Sequence, residues 1–212
     1  TLNAFMGVHF WGLETDQLKW IPLAIAGGLP FGAVLGAYMV RLMDKKWCLI
    51  LPAALTIINV NILIVLRLLD VLPENGDPLI LQLLLINVFI TGIIAPPIFI
   101  TINSMFADIS DEIELITGRR QEGIIYAARA FALKAAVALG TIVGGVILDL
   151  IQFPEQALPG EVSPDVLFNL GLAQGPATSL FSFFGLLLYF RYRLTRRKHR
   201  EILEKLAEHR GL

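Results

Sequence analysis

The chain has 212 residues, of which 56% are hydrophobic and 17% charged, with 17 Lys and Arg against 18 Asp and Glu. Its mean hydropathy is +0.70. A soluble domain carries about 25% charged residues, so this composition excludes an ordinary soluble protein, and the formal net charge of -1 excludes bulk attraction to nucleic acid. One cysteine, Cys48, rules out an intrachain disulfide and a cysteine metal cluster.

A helix crossing a hydrocarbon core of roughly 30 Å needs about 20 mostly apolar residues. The opening "TLNAFMGVHFWGL" is apolar and aromatic but about half that long, and it reads as the outer end of a helix that begins upstream. It starts at Thr1 with no basic n-region, so it does not read as a signal peptide. A missing N-terminal part is expected. Five complete spans follow, near Trp20 to Val40, Trp47 to Leu69, Leu79 to Phe106, Gly123 to Ile151 and Val166 to Arg191. In the first, Gly28, Gly32 and Gly36 recur every fourth residue and clear one face for close helix approach; Gly140 and Gly144 repeat the device in the fourth. Pro22, Pro30, Pro52 and the pair Pro96-Pro97 interrupt backbone hydrogen bonding, and the pair in mid-span marks the strongest expected bend.

Basic residues are retained on the cytoplasmic side of a membrane. Arg41, Lys45 and Lys46 mark one loop, Arg119 and Arg120 another, and Arg191, Arg193, Arg196, Arg197, Lys198 and Arg200 open the tail. All three fall on one side. The opposite loops, "VLPENGDP" and "FPEQALPGEVSPD", contain no Lys or Arg. The C-terminus is therefore expected in the cytoplasm, with the chain multi-pass in the cell (inner) membrane. Two domains are expected: residues 1–190 as a transmembrane lobe, and 191–212 as a cytoplasmic basic amphipathic tail. In the tail, Ile202, Leu203, Leu206 and Ala207 fall at helical spacing, as in a helix lying on an anionic leaflet.

The stretch "ADISDEIELITGRRQEGIIYAARAFALK" carries the chemistry. Counted from Gly123, Lys134 lies about 16 Å into its span and Arg129 about 9 Å, at 1.5 Å per residue. A cation at the helix centre costs roughly 2.5 to 3.5 kcal/mol on translocon scales. Lys134 should therefore face a protein interior, a watery cavity or a carboxylate. No acid in this sequence is an obvious midplane partner, so the counter-charge is expected on helices outside it or on a substrate. Arg129 can line a pocket or snorkel toward the cytoplasm. Asp108, Asp111 and Glu114 step by three and form a carboxylate stripe on a helix continuing out of the third span, ended by Gly118. With Arg119, Arg120 and Glu122 they can build a cytoplasmic gate of salt bridges or simply a solvated loop.

This pattern, A-D-x-x-D-E-x-E-x-x-T-G-R-R-x-E-G followed by Tyr126 and Lys134, resembles the glycoside-pentoside-hexuronide:cation symporters (the melibiose permease-like group) of the major facilitator superfamily. The likeness covers almost the whole chain, as the C-terminal half from the end of helix seven to helix twelve. What it implies is an all-α membrane protein: a C-terminal six-helix lobe, five full spans plus the end of another, of a twelve-helix fold whose two lobes rock about a central cavity. It further implies that Lys134 supports cation and substrate binding and that Asp108, Asp111, Glu114 and Arg120 belong to the cytoplasmic gate. The charged turn "VRLMDKKW" is similar to turns that latch helix ends in this superfamily. Phe99 stands nine residues before Asp108, where an aromatic residue borders the sugar in some relatives and one of them carries a tryptophan, and Arg129 replaces what is often a neutral polar residue. Those departures leave open a less polar solute or an acidic one such as a hexuronide.

The expected function is symport of a sugar, glycoside or hexuronide with Na+ or H+. The implied partners are that solute, membrane lipid and the missing N-terminal lobe. Site residues are Lys134, Arg129, Tyr126 and Phe99, with no metal ligand and no cofactor in this half. A cation-coupled lysolipid transporter of the same fold is the nearest alternative. A membrane enzyme holding Mg2+ on "DISDE" would need a second acidic motif, which the remaining helices lack. No Ser-His-Asp arrangement, zinc spacing or phosphate loop is present.

Overall fold

A computed structural model describes residues 2–154, 157–191 and 196–210, apart from the side chains of residues 196, 197, 209 and 210. Arg193 of the expected basic tail, and the side chains of Arg196 and Arg197, lie outside the described residues.

Among the described residues every regular element is helical. Helix α1 (Leu2–Phe5) continues as a π turn (Met6–Phe10), and α2 (Thr15–Leu18) starts with a capping box between Glu14 and Gln17. The long helices are α3 (Trp20–Leu42), α4 (Lys45–Leu68), α5 (Pro78–Thr117) and α6 (Glu122–Leu150). Then come α7 (Pro164–Leu172), a π turn (Ala173–Ala177), α8 (Thr178–Tyr189) and α9 (Arg196–Arg210). Five segments are long and apolar enough to cross a membrane: Thr15–Leu42, Lys45–Leu68, Pro78–Thr117, Glu122–Leu150 and Pro164–Tyr189. They follow the five expected spans.

The helix of the third span continues past Phe106, as expected, and runs to Thr117 just before Gly118, 40 residues in all, or about 60 Å. That is twice the hydrocarbon thickness, so one end projects beyond it. Asp77 starts this helix by accepting the Leu79 N–H at 2.8 Å, with Pro78 at its first position. Gly118 ends it in the left-handed region, φ 66°, where its N–H meets the Glu114 carbonyl at 2.8 Å. The fifth span is interrupted where Pro176 removes a donor. There the Thr178 hydroxyl donates to the carbonyls of Ala173 and Gln174, at 2.5 and 2.8 Å.

Helix α3 lies along α5 with its glycine face inward: its buried residues are Gly28, Gly32 and Gly36, and Phe31 meets Phe89 of α5 beside them. A Cβ on Gly32 would stand 2.7 Å from Pro96 Cγ, and one on Gly28 or Gly36 would come within 2.9 Å of the backbone of Gly92 or Pro97. The proline pair therefore sits on the glycine face, inside a helix that continues through it. Gly144 is buried as expected. Gly140 is not used this way, because nothing lies within 4 Å of a Cβ placed there.

Polar groups join the remaining helices within the apolar zone. The Asn59 amide donates to the Asn87 carbonyl at 2.9 Å and Asn87 returns the bond to Asn59 at 2.7 Å. The Asn61 amide reaches Ser179 on α8 at 2.5 Å. Such interhelical bonds contribute about 0.6 kcal/mol each in a bilayer. The opening stretch is packed rather than peripheral: Leu2, Met6, Phe10, Trp11 and Leu13 form one buried cluster with residues such as Leu63, Ile80 and Leu170. At the opposite end, Lys46 donates to the Phe190 carbonyl at 2.8 Å and lies 5.3 Å from that ring's centroid. This seats the end of α8 on the start of α4.

Candidate functional site

The projecting end of α5 gathers the basic segments around it. Asp108 is buried, its side chain 4% exposed, and Lys45 at the start of α4 donates to both of its oxygens at 2.7 Å. The same ammonium reaches the Ser104 carbonyl at 3.4 Å. From α9, His199 Nε2 stands 3.3 Å from Asp108 Oδ1 and 3.1 Å from Asp111 Oδ2. Lys198 pairs with Glu112 at 2.5 Å. Ile202 and Leu206 are buried against Leu115. A hollow of about 290 Å³, lined by Lys45, Asp108, His199, Arg200 and Leu203, opens beside the pair.

The tail helix buries Ile202 and Leu206 against Leu115 of α5, while Leu203 of the same apolar stripe stays exposed. Glu112, one residue past Asp111, joins Asp108 and Asp111 in meeting α9. Among the described residues the contacts of the expected gate residues fall into two groups. Asp108 and Asp111 share His199, whereas Arg120 and Glu122 form a separate exposed pair at 2.8 Å. The Glu122 hydrogen bond, then its charge, raise the Arg120 pKa, with Glu114 and Asp111 adding less and desolvation opposing. Arg119 makes no ion pair among the described residues, and its backbone is held by Thr117.

A second polar group lies inward of this network, between α5 and α6. Arg129 Nη1 donates to Asn103 Oδ1 at 2.5 Å, and the guanidinium carbon is 5.1 Å from the Phe106 centroid. Tyr126 flanks the same ring at 6.4 Å between centroids. The Asn103 amide donates to the Phe99 carbonyl at 2.8 Å, and the Phe99 ring is 62% exposed. Arg129 thus reaches sideways to α5 instead of snorkelling along its own helix. Lys134 is exposed and has no ion pair among the described residues; the structure does not bring it into contact with the Arg129 cluster.

Of the expected site residues, Arg129, Tyr126 and Phe99 are joined through Asn103 and Phe106, which sequence reasoning left out. It also left out Glu112, Lys198 and His199. A signal existed for His199 alone: Ile202 and Leu206 fix which face of α9 is apolar, and His199 lies one turn before Ile202 on it.

A family model described as MFS/sugar transport protein matches residues 1–196. Among curated proteins, an uncharacterized symporter from Synechocystis sp. is 36% identical over 107 residues, a segment covering 49% of this chain and 20% of that relative. The chain therefore spans about a fifth of the length of the curated relative it matches. No solved structure matches it.

Proposed function

The chain belongs to the MFS/sugar transport protein family, and from that premise we propose that it is the C-terminal lobe of a cation-coupled secondary symporter for a sugar, glycoside or hexuronide. In this reading the protein belongs to the glycoside-pentoside-hexuronide:cation group and lies in the inner membrane with its C-terminus in the cytoplasm. The relative's printed description as a symporter supports the coupling. Solute and cation bind near the midplane between two lobes that rock about it. The observation that carries the reading is Lys134, an ammonium about 16 Å into a spanning helix by its rise per residue. It is exposed on this lobe and unpaired among the described residues. Left in lipid it would cost roughly 2.5 to 3.5 kcal/mol. An acid of the other lobe, or the cavity between lobes, removes that cost.

Lys134 then acts as the counter-charge to an acidic cation and sugar site across the cavity. The coupling ion is Na+ or H+. The network of Lys45, Asp108, Asp111 and His199 closes the cytoplasmic side in one state. Breaking it requires Lys45 to leave a buried carboxylate, which makes the closed state discrete.

The test is counterflow of labelled glycosides and hexuronides by the full-length protein in vesicles, with and without Na+. Lys134→Ala should abolish coupled uptake while the protein still reaches the membrane in normal amount. Unchanged uptake in that variant rejects the role given to this side chain. Inhibition by lysolipid with no glycoside flux would favour the lysolipid alternative.

A further inference from the structure

We infer that the tail helix α9 is a proton-operated latch: it stays docked on α5 while His199 is protonated and lets go when that proton passes to the solvent. Its effect on transport rests on the symporter reading above, in which the same network closes the cytoplasmic side. The apolar hold comes first, because it is small. Ile202 and Leu206 are buried against Leu115, whereas Leu203 of the same stripe is 45% exposed. A helix of 15 residues is marginal in water on its own, so the charges along α5 decide whether this one stays.

Two charged ties are made. Lys198 meets Glu112 at 2.5 Å. His199 Nε2 stands 3.3 Å from Asp108 Oδ1 and 3.1 Å from Asp111 Oδ2. Asp108 does not need that contact for its charge, since Lys45 of α4 already holds both of its oxygens at 2.7 Å. Asp111 has no such cation: among the described residues its one ion pair is with His199. At this contact Asp108, Asp111 and Glu112 thus face Lys45 and Lys198, three carboxylates against two ammoniums. One proton on His199 makes the numbers even. In either charge state the Nε2–H can be shared between the two oxygens, but only the imidazolium supplies the missing charge, and an ionised donor makes the stronger bond.

The neighbouring charged groups on the two helices are Glu114 of α5 and Arg200 and Glu201 of α9, with Arg200 lining the hollow beside Lys45 and Asp108. Carboxylates, lysine and arginine hold one charge across the range of about pH 5 to 8 in which histidine changes its own. Docking binds the proton and release frees it, so the latch holds at low pH and is lost as pH rises.

Spin labels on Glu204→Cys of α9 and Ile116→Cys of α5, both exposed positions, read the distance between the helices in full-length protein in vesicles with no other accessible cysteine; Cys48 is buried. The docked, short-distance population should fall at least about threefold between about pH 5.5 and 8.5. His199→Gln keeps a donor but gains no charge, and should show the high-pH distribution throughout. His209→Gln, the control for the other tail histidine, should follow the wild type. Asp111→Asn removes the excess carboxylate, and its docked population should change by less than about half as much as the wild type's. A constant or acid-released wild-type population, or a pH response that survives in His199→Gln, overturns the latch. If His199→Gln does not reach the membrane, the wild-type curve and Asp111→Asn decide. Counterflow on the same vesicles keeps the two readings apart. Solute flux with a flat distance curve rejects the latch and leaves the symporter standing, whereas a responsive curve without glycoside or hexuronide flux rejects the sugar symporter and leaves the latch.

Discussion

Helix α5 is clasped on two sides, by the glycine face of α3 and by the asparagine ladder and Lys45 of α4. Helix α6, next in the chain, leaves nearly all its residues exposed or half-buried, with Gly144 as its only buried one among the described residues. Their charges differ in the same way. Asp108 on α5 is buried and neutralised inside the lobe, whereas Arg129 has only neutral partners and Lys134 no ion pair among the described residues. A side chain whose charge is cancelled at home serves the lobe's own architecture. One whose charge is held but not cancelled is available to something that arrives from outside. The comparison therefore separates a helix whose buried charge is paired inside the lobe from one whose cations have no ion pair among the described residues.

The largest test of the clasped side is Lys45→Met. It would leave the Asp108 carboxylate, 4% exposed, without its cation, and stranding one partner of a buried pair costs about 3–5 kcal/mol. Thermal unfolding in detergent should fall accordingly, and adding Asp108→Asn should recover most of the loss. No recovery would mean that the pair is not what joins α4 to α5. A smaller but clear effect is expected from Gly32→Leu. Its Cβ alone meets the Pro96 ring at 2.7 Å, and overpacking a tight contact costs about 1–3 kcal/mol. A lowered midpoint by the same assay is the expected result. An unchanged one would show that α3 can slide off the proline pair freely.

The spans were legible because a 20-residue apolar run has few alternatives in a bilayer, and the glycine face of α3 because a four-residue repeat of the smallest side chain survives in sequence as a pattern. The acidic stripe was only half legible. Spacing shows which residues can share a helix face, but not which partner Asp108, Asp111 and Glu112 meet. The partner was α9, more than 80 residues away, and nothing in the local periodicity names it. The tail's amphipathic pattern was equally visible, yet a leaflet and a protein surface ask for the same apolar stripe. Asn103 was missed for a different reason. A single asparagine in an apolar span carries no spacing signal, and its value appears only when Phe99 fixes its amide and Arg129 is found opposite.

The smallest expected effect reverses sign between the two helices and so tests their difference most directly. A glycine inside a helix loses more backbone freedom on folding than alanine does, so Gly→Ala at a site with room stabilises by about 0.4–1 kcal/mol. At Gly140 nothing lies within 4 Å of the added Cβ, so Gly140→Ala should raise the unfolding midpoint slightly. At Gly32 the same substitution places that atom against Pro96 and should lower it. If Gly140→Ala instead destabilises the full-length protein as Gly32→Ala does, another helix lies close against α6 at that level. The open face of α6 would then be a packing surface at that turn, and the space left for a solute would begin nearer Arg129 and Lys134. A raised midpoint at Gly140 with a lowered one at Gly32 would keep α6 free of close packing nearly two turns past Lys134.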